Sequence, residues 1–163
     1  MNTKAALYIS FVLFIIASLM TMPAAGHAQT SIVSPMPQEG ANFGSALLPT
    51  GDTDLIGMEE YLISAPGESV NGRPGAGRIY QFDGLSGDTV RTLVSPNPAA
   101  SEYFGITMAR IADVNGNGSG DIAIGATGAQ SAENPDQEGT VYIYDGSTFA
   151  QLSEIRPPAG ETT

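Results

Sequence analysis

Between Asp113 and Asp121 the chain reads Asp-Val-Asn-Gly-Asn-Gly-Ser-Gly-Asp, which puts side-chain oxygens at loop positions one, three, five and nine. Oxygen donors alternating along a glycine-rich turn suit a hard divalent cation, since calcium takes six to eight oxygens and one short loop can supply several of them. Asp113, Asn115, Asn117 and Asp121 are the side-chain candidates, and the carbonyl of Ser119 can add a backbone ligand. Gly118 stands where such a loop bends most sharply, and water would complete the shell. An EF-hand is excluded, because its twelfth position requires a bidentate glutamate and here holds the apolar Ile124. The alternative is a turn without an ion, since Asn115-Gly116 and Asn117-Gly118 are turn formers by themselves. The two end aspartates favour the cation, because no turn needs both. Two carboxylates and two amides make a weak site, with a dissociation constant on the order of 10⁻⁴ to 10⁻³ M.

A second, poorer version of this loop lies upstream. Asp52, Asp54 and Glu60 fall at positions one, three and nine, but positions five and six are Ile56 and Gly57, so one oxygen is lost. Other groups carry less chemistry. Asn117-Gly118-Ser119 is formally a glycosylation sequon, but its asparagine is already wanted as a ligand. Tyr80, Phe82, Tyr142 and Tyr144 read as strand packing rather than as a stacking platform for sugars, and Glu59 and Glu60 as solvated loop charges rather than an acid and base pair. No catalytic residue is expected.

The elements that must hold these loops emerge from an internal repeat. Phe43-Gly44 recurs as Phe104-Gly105, 61 residues on, and at the same spacing Asp52 matches Asp113, Glu60 matches Asp121, and Ile63 to Pro66 matches Ile124 to Thr127. After one inserted residue, Gly77 to Gly84 matches Gly139 to Gly146. Val33-Ser34-Pro35 recurs as Val94-Ser95-Pro96 and, weakly, as Ile155-Arg156-Pro157. Period-two alternation and β-branched or aromatic content predict strands near Phe104–Ile111, Ile122–Ala126, Thr140–Tyr144 and Phe149–Ile155. The first unit predicts them near Phe43–Leu48, Tyr61–Ala65, Arg78–Phe82 and Thr89–Val94, with surface loops at Pro66–Gly77 and Thr127–Gly139. Four strands per unit, repeated in tandem, predict an all-β protein of two antiparallel propeller blades, an incomplete propeller. The competing fold is two unrelated hairpin pairs or a small β-sandwich, neither of which needs such a period.

The order of Phe104-Gly105, the oxygen-rich loop, Asp121 to Ala126 and Gly139 to Tyr144 resembles the FG-GAP repeat, the blade unit of integrin α-subunit propellers. The resemblance covers nearly all of the chain after its leader and is strongest in the second unit. It implies calcium bound by Asp113, Asn115, Asn117, the Ser119 carbonyl and Asp121 between the first two strands of a blade, with structural rather than catalytic effect. Thr127 stands where the family's closing tripeptide usually has proline, which the first unit keeps as Pro66.

Composition sets the remaining bounds. Lys4 followed by the apolar run Ala5–Met20 and small residues predicts a signal peptide over 1–28, cut after Ala28, and a membrane anchor is the competing reading. That division leaves residues 29–42 as the tail of a preceding repeat, 43–103 as a first repeat and 104–163 as a second. Beyond the leader, five arginines face 17 acidic residues, and neither lysine nor histidine remains. Such a surface repels nucleic acid and favours divalent cations. The lack of histidine and lysine there leaves no histidine- or lysine-dependent catalysis, and the absence of cysteine removes disulfides and thiolate chemistry. The expected product is a secreted, extracellular or periplasmic, calcium-binding adhesion or scaffold module without a membrane span after cleavage. Its expected partner is an extracellular protein or glycan. The alternative is a fragment of a longer propeller protein or secreted hydrolase with no activity of its own. Because propellers need four to eight blades, two blades also suggest a homo-oligomer that completes the ring.

Overall fold

A computed structural model of the protein describes residues 31–53, 57–130 and 138–157. The leader and its cleavage position, together with Asp54 and Ile56, lie outside the described residues. The described residues from Ile32 onward belong to one compact unit.

Eight strands follow in chain order: β1 (Leu47–Gly51), β2 (Glu60–Ala65), β3 (Arg78–Phe82), β4 (Thr89–Leu93), β5 (Thr107–Ile111), β6 (Asp121–Gln130), β7 (Glu138–Tyr144) and β8 (Gln151–Ile155). They form two four-stranded antiparallel sheets, each in simple sequential order, β1 to β4 and β5 to β8. The described residues contain no helix, and therefore none long and apolar enough to cross a membrane. The all-β, two-blade expectation is met. Opposite Gln81 and Phe82 the pairing skips Val90 of β4, and opposite Ile143 and Tyr144 it skips Leu152 of β8, so the last strand of each blade is bulged at the same place.

The central strands read as nearly continuous apolar runs because each blade buries both of its faces. In the first blade, Leu62, Ile79 and Leu93 point toward the second blade, while Ile63, Tyr80 and Phe82 point the other way, under Phe43, Tyr61 and Ile32. The second blade presents Ile122, Ile124, Tyr142 and Tyr144 to the first, and one core runs through both.

Phe104 is the wedge of that core. It is fully buried, its ring stands edge-on to Tyr142 and Tyr144 at 5.8 and 6.3 Å, and its N–H donates to the carbonyl of Ala76 at 3.1 Å. Gly105 follows at φ 84°, where a Cβ would lie 2.7 Å from Ile79 Cγ1, so only glycine lets the chain turn this close to the first blade.

Several strand limits shift from expectation. Phe43-Gly44 and Phe104-Gly105 stand in turns ahead of β1 and β5, because each glycine is left-handed and ends any extended run. The stretch Thr127–Gly139 is less loop than expected, since β6 continues to Gln130 and β7 starts at Glu138. Pro66–Gly77 does not run free over the surface: it carries a small bridge between Val70 and Arg73 and buries Glu68, Val70 and Ala76. The repeat register also changes at its end. Ile79 pairs with Leu93 and Val141 with Ile155, so the equivalent of Ile155 is Leu93 rather than Val94. The inserted residue therefore keeps its offset through the last strand.

Candidate functional site

The loop from Asp113 to Asp121 joins β5 to β6, where Ile111 and Asp121 close the ladder as a facing pair. Asp113 organises its first half. Its Oδ1 accepts from the N–H groups of Gly116 (2.6 Å) and Asn117 (3.2 Å), and its Oδ2 accepts from Gly118 N–H (2.7 Å). The Gly118 bond first, then those from the neighbouring amides, holds the carboxyl below its ordinary value of 3.8. Gly116 and Gly118 supply the left-handed turns, at φ 80° and 92°, that aim these amides inward.

Asp121 organises the other end. It is completely buried, and its two oxygens accept from Val114 N–H at 2.8 Å and Gly146 N–H at 3.1 Å, tying the loop to its base and to the β7–β8 turn. Between these ends, Asn115 Oδ1 accepts from Asn117 N–H (3.0 Å) and Asn117 Oδ1 from Ser119 N–H (2.8 Å).

One participant escaped the loop motif. Asp145, at the end of β7, accepts at Oδ2 from the side-chain amides of Asn115 (2.6 Å) and Asn117 (2.5 Å). Its Oδ1 meanwhile accepts from the N–H and hydroxyl of Ser147 and from Thr148 N–H. The Ser147 hydroxyl, then the Thr148 amide, drives its carboxyl far below the usual carboxylate range. The sequence signal was the repeat match of Asp83-Gly84 with Asp145-Gly146, and Asp83 caps the equivalent turn through Leu85 and Ser86.

The upstream loop shares the same scaffold. Asp52 Oδ2 accepts from the amide five residues on (Gly57, 3.0 Å), as Asp113 does from Gly118. Glu60 Oε2 accepts from the amide seven residues back (Thr53, 2.6 Å), as Asp121 does from Val114. The Thr53 hydroxyl adds a short bond to the same Glu60 oxygen, and among the described residues Glu60 Oε1 is buried without a partner. Glu60 is therefore not a solvated loop charge, because its longer side chain folds inward to close its own loop. Glu59 stays exposed.

The two loops line one cleft of about 390 Å³ between the blades. Arg110 projects into it from β5 and donates to the Thr50 carbonyl at 3.2 Å.

A hard cation can be tested against the donor chemistry of the Asp113–Asp121 loop. Every candidate side chain carries oxygen, but no three Asp, Glu, His or Cys side chains converge among the described residues. An ion here would depend on amide and backbone oxygens beside its carboxylates. The set fits calcium by donor type, and an ion would draw on the Oδ1 atoms of Asn115 and Asn117, which here accept from backbone amides.

Comparison with known proteins gives the same outline. Residues 104–144 match the FG-GAP repeat. The chain is 33% identical over 126 residues to integrin alpha-PS2 of Drosophila melanogaster, covering 72% of this chain and 9% of that protein. It is 32% identical over 139 residues to mouse integrin alpha-3, covering 83% of this chain and 12% of that protein. It is also 35% identical over 91 residues to human integrin alpha-IIb, covering 53% of this chain and 8% of that protein. The chain thus spans about a tenth of the length of these curated relatives.

Proposed function

We propose, from the premise that this is an FG-GAP repeat protein similar to integrin α subunits, that it is an extracellular propeller module for adhesion or scaffolding whose loops are clasped by calcium. In this reading Asp113, Asn115, Asn117, the Ser119 carbonyl and Asp121 hold the ion, within a repeat spanning 104–163. The repeat spanning 43–103 has Asp52, Asp54 and Glu60 as a weaker second site. The leader directs export, and the role is binding rather than catalysis, toward an extracellular protein or glycan.

The observation that carries the reading is the common scaffold of the two loops, in which the first acid accepts from the amide five residues on and the last from the amide seven residues back. Two loops built alike around oxygen donors suit a cation better than a chance turn does. Calcium would supply a central charge to offset the acidic loop and fix the β5–β6 connection. The chain's own part is to hold Asp113 and Asp121 in place, which their backbone hydrogen bonds already do.

Titrating calcium against thermal unfolding tests this. The expected result is a rise in melting temperature over the millimolar range that Asp113→Ala abolishes. An unchanged melting temperature at millimolar calcium would overturn the calcium assignment.

A further inference from the structure

The chain holds three Asn-Gly pairs, Asn71-Gly72, Asn115-Gly116 and Asn117-Gly118. All share one latent reaction. The backbone nitrogen of the glycine can attack the side-chain carbonyl carbon of the asparagine, and glycine hinders that approach least because it has no side chain. The new C–N bond closes a succinimide ring, and the side-chain nitrogen leaves as ammonia together with the proton of the glycine amide. Water then opens the ring at either carbonyl and leaves aspartate or isoaspartate. Water is taken up and ammonia released, and nothing is oxidised or reduced.

Accessibility does not rank the three pairs. All six residues are exposed, and a Cβ built on any of the three glycines meets nothing within 4 Å. What separates them is hydrogen bonding. Asn115 donates its side-chain amide to Asp145 (2.6 Å) and accepts from Asn117 N–H (3.0 Å), while Gly116 N–H is held by Asp113 (2.6 Å). Asn117 donates to Asp145 (2.5 Å) and accepts from Ser119 N–H (2.8 Å), while Gly118 N–H is held by Asp113 (2.7 Å). To bring nitrogen and carbon together, the side chain must leave Asp145 and the glycine must leave Asp113, two hydrogen bonds to carboxylates.

Asn71-Gly72 carries no such restraint. It is the tip of a two-residue turn with φ 52° and 77°, closed by the bridge between Val70 and Arg73 at 3.2 and 3.0 Å. Among the described residues neither the Asn71 carboxamide nor the Gly72 N–H has a hydrogen-bond partner. Once that small bridge yields, the carboxamide can swing over the next nitrogen. The opening stays local, because the carbonyls of Pro74, Gly75 and Ala76 behind the tip accept from Ser101, Tyr103 and Phe104.

We propose that Asn71 is a site of spontaneous deamidation in the folded protein, and that Asp113 and Asp145 protect Asn115 and Asn117 from the same reaction. The tip thereby gains a negative charge beside Arg73, and in the isoaspartate form a longer backbone, while the Asp113–Asp121 loop keeps its amides. The inference does not depend on calcium, since the chain itself makes every bond it uses.

Peptide mapping by mass spectrometry, after long incubation in mildly alkaline, calcium-free buffer, tests this. Aspartate and isoaspartate are expected to accumulate at position 71. Positions 115 and 117 should react more than about tenfold more slowly, because each must first break two charge-assisted hydrogen bonds. Asn71→Gln is expected to remove most of the signal, since glutamine would have to close a larger ring. In guanidinium chloride the three pairs should react at similar rates, and a ranking that persists there would place its cause in sequence and sink the protection. Asp145→Ala releases both side-chain amides and should raise the rates at 115 and 117 toward that at 71; a folded variant with no such rise would remove Asp145 from the account. If that variant does not fold, the comparison of folded with unfolded wild-type protein decides alone. An intact Asn71 in the folded protein, or reaction at 115 or 117 as fast as at 71, refutes the proposal.

Discussion

Asp145 lies 24 residues beyond the nine-residue loop, yet it restrains Asn115 and Asn117 through one oxygen while capping its own turn with the other. The loop's donor residues were legible because alternating oxygens leave a pattern in sequence. The restraint on them was not, because it crosses from one hairpin connection to another. Replacing Asp121 by alanine leaves the buried amide of Gly146 and the partly buried amide of Val114 without their acceptor, and is expected to cost about 1–3 kcal/mol in denaturant unfolding without calcium. A loss near zero would mean that water takes over both amides. Acid acts on the same groups. Asp113 and Asp145 both have folded carboxyls below 3.8, so their contribution is complete above that pH and is lost only as pH falls through their lower folded values. Carboxyl-carbon NMR titrations are expected to show both midpoints below 3.8, and a midpoint at or above that value would contradict the hydrogen bonding described.

Strands were the easier part of the elements to foresee, since β2, β3 and β7 are apolar runs that alternate between two buried faces. What misled was the pair Phe104-Gly105: its aromatic reads as a strand residue, but Gly105 turns the chain onto the neighbouring blade. Glu60 misled in the same way, because a charged residue beside another charge reads as solvated until its partner seven residues back is seen. The turn also separates two costs that a glycine can hide. Gly116→Ala meets open space and is expected to cost about 1–2 kcal/mol for the left-handed backbone alone. Gly105→Ala carries that strain and also drives a methyl into Ile79 and Ser64, with an expected total of about 2–5 kcal/mol. Chemical denaturation of the two variants side by side checks the ordering, and equal losses would show that Ile79 yields freely.

At the scale of the whole molecule, the repeat announced two units but said nothing of how far they depend on each other. Spacing reports that faces are equivalent; only packing reports which of them are covered. The shared core makes the dependence strong, because Leu62, Ile79 and Leu93 of the first blade and Ile122, Tyr142 and Tyr144 of the second close around Phe104. Truncating that ring opens a cavity bounded by both blades, and Phe104→Ala is expected to cost about 3–5 kcal/mol. Because the lost contacts belong to both sheets, unfolding should remain a single transition. Hydrogen-exchange protection should then fall by a similar factor at Ile79 in β3 and at Tyr142 in β7. The reasoning fails if exchange quickens in β7 while β3 keeps its protection, since the blades would then be separate folding units that merely touch. Tyr80 offers an internal control. It packs on the far face of the first blade and donates to the buried Glu68 at 2.6 Å, away from Phe104. A drop at its amide to match that at Ile79 would mean that loss of the wedge is felt through the full thickness of the first blade.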